Sequence, residues 1–460
     1  MGVSLKVHIL PVPIMVLTCA GLAAAQPAQV PSSPAAQADT IRRMLTELHD
    51  NGEFTGSVLV ARAGTVIYRE AIASTPQEAA ALLTRPSNIA SLAKAFTAMA
   101  VMMLAEQGEL TYDDPIARHV TALAGATPGI TLRHLLTHSS GIPDVGDLGI
   151  DRPGVKESDV VDAVRKHHAH FAQPGTAYRY SNTGYVLLAM AVEHASGRAF
   201  DEFLQRRILD PLEMHHTHPE NGPRKAGETK GDGGLVSTVD DLLAWDRALA
   251  ANRLVRATTF AAAIVPGKIT QGTSTYGFGW NIADRDGQPY MWHTGNSGAQ
   301  RAFIGRRLGD GIVVVILTSG NSRRVEIADA TVDILHGRPY VPPKLSIARK
   351  LLATIDAQGL DAALALYAQL RTTAGTRYDF GEPELNGLGY TMLGRGRHAD
   401  AIRIFEANVQ QHPASSNAFD SLGEAFYRSG RQADAAKAYA KAVELDPGNV
   451  SARAMLQKLR

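Results

Sequence analysis

Two β-rich hairpin signals stand at opposite ends of a long, mostly helical stretch, and they constrain the fold more than any other feature. Residues 56–62 and 65–70 are strand-like runs on either side of Ala63-Gly64. Residues 301–307 and 311–317 form a second pair around Gly309-Asp310-Gly311. Val313-Val314-Val315-Ile316-Leu317 is apolar at every position, so both of its faces need cover and it belongs in the middle of a sheet. Early strands, then helices and loops, then late strands predict an α+β domain. Its antiparallel sheet is completed from both ends of the segment, is flanked by helices and carries a helical insert.

The chain of 460 residues is too long for one small module. Hydrophobic residues at 45% and charged residues at 20% exclude disorder as its main state. A net charge of +1 supplies no single-sign field to draw it to nucleic acid. The single Cys excludes an internal disulfide and any multi-Cys metal site. The composition divides the chain. Residues 1–25 read as a signal peptide: Lys6 and His8 precede an apolar stretch, 9–22, and Ala23-Ala24-Ala25 supplies a small-residue cleavage site. That stretch is short for a bilayer span and contains Pro11 and Pro13, so the mature chain is expected to hold no membrane span and to be periplasmic or secreted. A lipid anchor on Cys19 is set aside because Thr18 is larger than the residue expected before it. Residues 26–38, rich in Pro, Ala, Gln and Ser, read as a linker, and 39–343 as the α+β domain.

After Val341-Pro342-Pro343 the chain turns to Ala, Leu, Arg and Gln with helical periodicity. Within this all-α part, 344–460, Leu388-Gly389, Ala401, Phe405 and Pro413 return 34 residues later as Leu422-Gly423, Ala435, Tyr439 and Pro447. The period and residue pattern resemble the tetratricopeptide repeat, a helix pair that stacks on its neighbours. Residues 345–371 read as a divergent helical hairpin. Two matching units are few for a free-standing stack, so the array is expected to lean on that hairpin or on the α+β domain. The resemblance implies a protein or peptide partner at the repeats; a purely scaffolding or dimerising role is the rival.

Three short motifs carry the chemistry. Ile89-Ala90-Ser91-Leu92-Ala93-Lys94 opens an apolar helical run, and Ser91 and Lys94, three apart, share one helix face. A Ser at a helix start sees the positive end of the dipole. A Lys among Ala, Phe and Met is desolvated, which moves it toward the range of a proton acceptor. Tyr180-Ser181-Asn182 places a phenol and an amide two residues apart in a turn before another apolar helical run. Trp292-His293-Thr294-Gly295 leads to Asn296-Ser297-Gly298 just before the late hairpin, and a Gly there lets substrate backbone lie against a strand.

These motifs in this order resemble the serine β-lactamase and penicillin-binding protein superfamily, in its class C-like branch of DD-peptidases, esterases and D-amino-acid peptidases. Phe54-Thr55-Gly56-Ser57-Val58-Leu59-Val60, Leu132-Arg133-His134-Leu135-Leu136-Thr137-His138-Ser139-Ser140-Gly141-Ile142-Pro143 and Gly233-Gly234-Leu235-Val236-Ser237-Thr238 look familiar in the same way. The resemblance spans about residues 41–340. It implies a β-lactamase/transpeptidase-like fold and an acyl-enzyme serine hydrolase acting on an amide or ester, with a small-molecule or peptide substrate. It implies Ser91 as nucleophile, Lys94 as base, Tyr180 as proton shuttle, and Asn182, His293, Thr294, Gly295 and Asn296 on the substrate. The backbone N–H groups of Ser91 and Asn296 would form the oxyanion hole. His293 stands where many relatives carry Lys, which weakens the pull on a substrate carboxylate. Residues 71–86 lack the Gly-rich pattern expected between the first hairpin and the nucleophile.

No cofactor or metal is implied. The clustered His134 and His138, and His215, His216 and His218, have no Cys or HExxH-type Glu to complete a site and read as solvated loops. Trp280 and Trp292 fit cleft wall and core equally well. The alternative from another functional class is a non-catalytic peptidoglycan- or peptide-binding sensor on a repeat scaffold.

Overall fold

The computed structural model describes residues 33–150, 152, 154–167, 172–222, 229–265, 269–320 and 323–459. The segment read as a signal peptide, Cys19 included, lies outside the described residues. Residues 26–32 of the expected linker also lie outside the described residues. Helix α1 (Pro34–Asp50) begins inside that linker, with the Ser33 hydroxyl accepting the Ala36 N–H at 3.2 Å. Pro34 sits at the first helical position, where its fixed φ starts a helix rather than breaking one. Ile41, Met44, Leu45 and Leu48 give α1 one apolar face, and all four are buried.

The sheet joins both ends of the domain, as predicted. Its strands are β1 (Gly56–Arg62), β2 (Thr65–Ile72), β3 (Thr270–Gln271), β4 (Ser274–Tyr276), β5 (Asn281–Arg285), β6 (Gln288–Ser297), β7 (Gln300–Arg307) and β8 (Ile312–Ser319). The order across the sheet is β2-β1-β8-β7-β6-β5-β4-β3, antiparallel throughout. Strand β8 sits between β1, with Gly56 opposite Thr318, and β7, with Arg306 opposite Val313. Its side chains alternate between two cores. Val313, Val315 and Leu317 face one, while Ile312, Val314 and Ile316 face the other. Burying each such side chain stabilises the fold by about 1.5–3 kcal/mol, which is why this run is apolar on both sides.

Helices α2 (Ala93–Glu106) and α3 (Asn182–Ser196) belong to the larger core, on the face that carries the three motifs. Helix α4 (Arg324–Leu335) packs with α1 on the opposite face. Trp280 is core, 1% exposed, and Trp292 stacks on Tyr290 at 5.2 Å on the α1/α4 side of the sheet, so the core reading of both holds. In the divergent 71–86 stretch, an exposed helix (Pro76–Thr84) contributes no buried residue.

The rest of the chain is helical, from Ile347–Gln358 and Leu360–Thr373, the predicted hairpin, through Glu382–Gly394, His398–Gln411, Ser416–Arg428, Gln432–Leu445 and Val450–Lys458. The repeat is visible in its packing. A Cβ on Gly389 would stand 2.5 Å from the Phe405 ring, and one on Gly423 2.9 Å from the Tyr439 ring. These small residues let the paired helices close. The array leans on both supports. Ile347, Leu351 and Ile355 share its core. Leu345–Ser346 pairs in parallel with Tyr378–Asp379, and Leu345 enters the core under α1 and α4. Arg323 donates to Asp379 at 2.7 Å and to Glu384 at 3.2 Å, and the Ser346 N–H donates to Glu53 at 2.9 Å.

Candidate active site

The nucleophile turn is held in a strained shape. Ser87–Asn88 pairs with Leu235–Ser237, and the Asn88 side chain accepts the Ala90 N–H at 2.7 Å. Ala90 lies in the left-handed region, φ +47°, at a cost of roughly 1–2 kcal/mol for a residue with a Cβ. One 3-10 turn, Ala90–Leu92, then runs into α2. This stacks half-buried Ser91 over fully buried Lys94 on one face.

Lys94 Nζ donates to Ser91 Oγ at 3.2 Å, to Asn182 Oδ1 at 2.7 Å and to the Asp232 carbonyl at 2.7 Å. Burial lowers its pKa to about 8, against the opposing pull of the Asp232 and Asp144 carboxylates. The Ser91 side chain lies near enough to the Tyr180 phenol to favour its ionised form, against the larger effect of burial. The Tyr180 ring centre is 4.9 Å from Lys94 Nζ, and burial raises the phenol well above its usual range. Asn182 opens α3, whose Ser181 hydroxyl caps the Gly184 N–H at 3.2 Å. The structure thus brings Ser91, Lys94, Tyr180 and Asn182 into one cluster.

The third motif lies on β6 and divides between the two faces. His293 and Gly295 face the cluster. Thr294 is paired with Phe303, on the α1/α4 side, and the Asn296 side chain, paired with Arg301, takes a hydrogen bond from Arg324 at 2.7 Å. The side chains of Thr294 and Asn296 therefore do not join the cluster, because residues alternate along a strand. Their backbone lines the open end of β6, where pairing with β5 has stopped at Trp292. At Gly295 the structure shows a close approach within the protein itself. A Cβ there would lie 2.0 Å from the Ile89 carbonyl oxygen, so the close backbone is that of the nucleophile turn.

His293 is buried at 2% exposure and is not free to act as a cation. Its Nδ1 is 2.6 Å from the Thr294 carbonyl, which has no proton, so Nδ1–H is the donor. Nε2 then accepts from the Tyr276 hydroxyl at 2.9 Å. Burial, with Lys94 nearby, pushes its pKa down to about 3.

Sequence reasoning missed three participants. For His138 the sequence predicts a solvated loop position, and the structure differs. It is 1% exposed, lies at φ +53°, and its Nδ1 accepts the Ser181 N–H at 3.1 Å. Its ring centre is 4.2 Å from that of Tyr180, and burial holds it neutral. Tyr276 ends β4, and its ring meets both His138 and His293. Asp144, directly after the Gly141-Ile142-Pro143 stretch, holds the start of α3. Only its place at the end of that familiar run could have flagged it. Among the described residues no group of three His, Cys, Asp or Glu is placed to hold a metal ion.

An antiparallel sheet with helices on both faces, and a Ser–Lys turn beneath a helical insert, is the fold of the penicillin-binding proteins. The chain belongs to the β-lactamase family, whose model matches residues 41–338. A second model, the bacterial transcriptional activator domain, matches residues 385–447 among the C-terminal helices. Penicillin-binding protein 4* of Bacillus subtilis (strain 168) is 28% identical over 351 residues, covering 66% of this chain and 77% of that protein. Penicillin-binding protein 4 of Amycolatopsis lactamdurans is 28% identical over 277 residues, covering 50% and 71%. A solved structure of the octameric penicillin-binding protein homologue from Pyrococcus abyssi superposes with a TM-score of 0.56 at 25% identity, over 69% of this chain and 81% of that one. The D-amino acid amidase of Ochrobactrum anthropi SV3 shares the fold, with a TM-score of 0.55 at 22% identity over 65% and 98%.

Proposed function

We propose that the protein is an exported serine hydrolase that opens an amide or ester through an acyl-enzyme on Ser91. The observation that carries this reading is the buried Lys94 amine 3.2 Å from Ser91 Oγ, with the Tyr180 ring centre 4.9 Å from the same amine. A pKa near 8 leaves about a tenth of Lys94 as free amine at pH 7, enough to serve as a base. In the first step Lys94 takes the Ser91 proton as Oγ bonds to the substrate carbonyl carbon. The carbonyl oxygen becomes an oxyanion between the N–H groups of Ser91 and Asn296, each worth about 3 kcal/mol in such sites. Tyr180, too weak an acid to ionise at rest, relays the proton to the leaving nitrogen or oxygen as its bond to carbon breaks. Water then repeats the sequence on the acyl-enzyme.

A β-lactam, a D-Ala peptide, a D-amino-acid amide and a short ester all fit this machinery. Relatives named for penicillin binding and for D-amino acid amidase activity support that range. A His293 held neutral, with both ring nitrogens bonded within the protein, supplies no fixed positive charge, which favours substrates that do not depend on a cation at this position. Export rests on residues 1–25, and among the described residues no helix is long and apolar enough to cross a membrane. For the C-terminal helices we propose a tetratricopeptide-like array that binds a protein or peptide.

The test is intact-mass analysis after exposure to a fluorescent penicillin and a fluorophosphonate. The wild-type chain gains an adduct at Ser91, and Ser91→Ala gains none. Adducts at full level on Ser91→Ala would remove Ser91 as nucleophile.

A further inference from the structure

We propose that Asp144 is the positioning residue of this site: its carboxylate turns the Asn182 amide so that only the oxygen is offered to Lys94. The inference rests on Lys94 acting as the base for Ser91. Asp144 Oδ1 accepts the main-chain N–H of Asn182 at 2.6 Å and of Thr183 at 3.2 Å, and Oδ2 accepts Asn182 Nδ2 at 3.1 Å. A carboxylate has no proton to give, so it can bind only the NH2 end of the amide. The opposite end, Oδ1, is then fixed 2.7 Å from Lys94 Nζ. The Leu148 N–H anchors the Asp144 carbonyl at 2.9 Å. His138, on the same loop, takes the Ser181 N–H. One loop therefore grips the Tyr180–Asn182 turn at two points.

The same carboxylate acts on Lys94 through space. The groups facing the amine are the carboxylates of Asp144 and Asp232, the neutral imidazoles of His138 and His293, and the rings of Tyr180 and Tyr185. Both carboxylates favour the ammonium. Removing one lets the proton leave at lower pH.

Two variants separate this role from simple helix capping. In Asp144→Asn the side-chain oxygen still caps Asn182 and Thr183, but its NH2 opposes that of Asn182, so the Asn182 amide must turn over and present N–H to Lys94. Asp144→Asn combined with Asn182→Asp restores the donor–acceptor match and puts a carboxylate directly on the amine. The readouts are the acylation rate of Ser91 by a fluorescent penicillin, its pH profile and the thermal midpoint. Asp144→Asn should keep its thermal midpoint and lose acylation on the order of 10²-fold, the scale of a misplaced catalytic group. Its acid limb should move to lower pH. The exchanged pair should regain at least about tenfold of that loss, with a limb above that of the wild type. An Asp144→Asn variant that acylates within threefold of the wild type on an unmoved limb overturns the proposal, as does an exchanged pair no faster than Asp144→Asn. A wild-type chain that forms no adduct at Ser91 would instead sink the serine hydrolase reading itself.

Discussion

Burial decides what the titratable side chains of this site can do. Lys94 is desolvated to a pKa of about 8, so acylation should rise with pH through that value as the amine loses its proton, and then level off. A rate that is flat between pH 6 and 9 with a substrate that does not ionise would exclude Lys94 as base. His293 shows the same effect with another outcome. Folded, it takes a proton only near pH 3; unfolded, it takes one near 6.5. The folded pKa is the lower, so the unfolded chain binds the extra proton, and stability falls as pH drops from 6.5 toward 3. The slope is about 1.4 kcal/mol per pH unit for such a group. Urea unfolding at pH 7, 6 and 5 should lose stability less steeply in His293→Gln than in the wild type. At this scale Ser91, Lys94, Tyr180 and Asn182 were legible, because each pair is set by local spacing. Asp144 and His138 were not. Asp144 meets Asn182 across 38 residues and His138 meets Ser181 across 43, and no local pattern encodes such a contact.

At the level of elements, the site is where a strand passes a strained turn. Strand β6 runs so close to Ile89 that only Gly fits at position 295. Gly295→Ala should force the two apart, lower stability by about 1–3 kcal/mol as overpacking does, and reduce Ser91 acylation more than the stability loss accounts for. Gly387→Ala is the matching control. It lies inside a helix with nothing within 4 Å of its Cβ, and should be neutral or stabilising by up to about 1 kcal/mol. Equal losses of acylation in the two variants would mean that the β6 approach does not shape the site. The strands themselves were readable from apolar runs and turn residues. The face that each β6 side chain takes was not, because a motif read along the chain does not say which alternate residues point to the cleft.

Over the whole molecule, the helical array is joined to the α+β domain next to the third motif. Arg323 reaches Asp379 and Glu384, and the following residue, Arg324, holds Asn296 on β6. Asp379→Asn with Glu384→Gln should cost about 2 kcal/mol or more, the scale of hydrogen bonds to a charged partner, when measured by urea unfolding. A chain ended at Pro343 should lose more, since it also gives up Leu345 from the core beneath α1. Unfolding midpoints equal to that of the full chain would show the two halves to be independent.

The amino-acid order alone determined the two-part division, the joined sheet, the 34-residue repeat and the first two motifs. Each of these depends on periodicity or spacing along the chain, and so does the hydrophobic cover it demands. Tertiary structure alone decided that His293 is a locked neutral hydrogen-bonding group, that His138 is buried against Tyr180, and that Asp144 aims Asn182. A side chain's charge and direction follow from the water it has lost and the neighbours that replace it, and those neighbours arrive from distant parts of the chain.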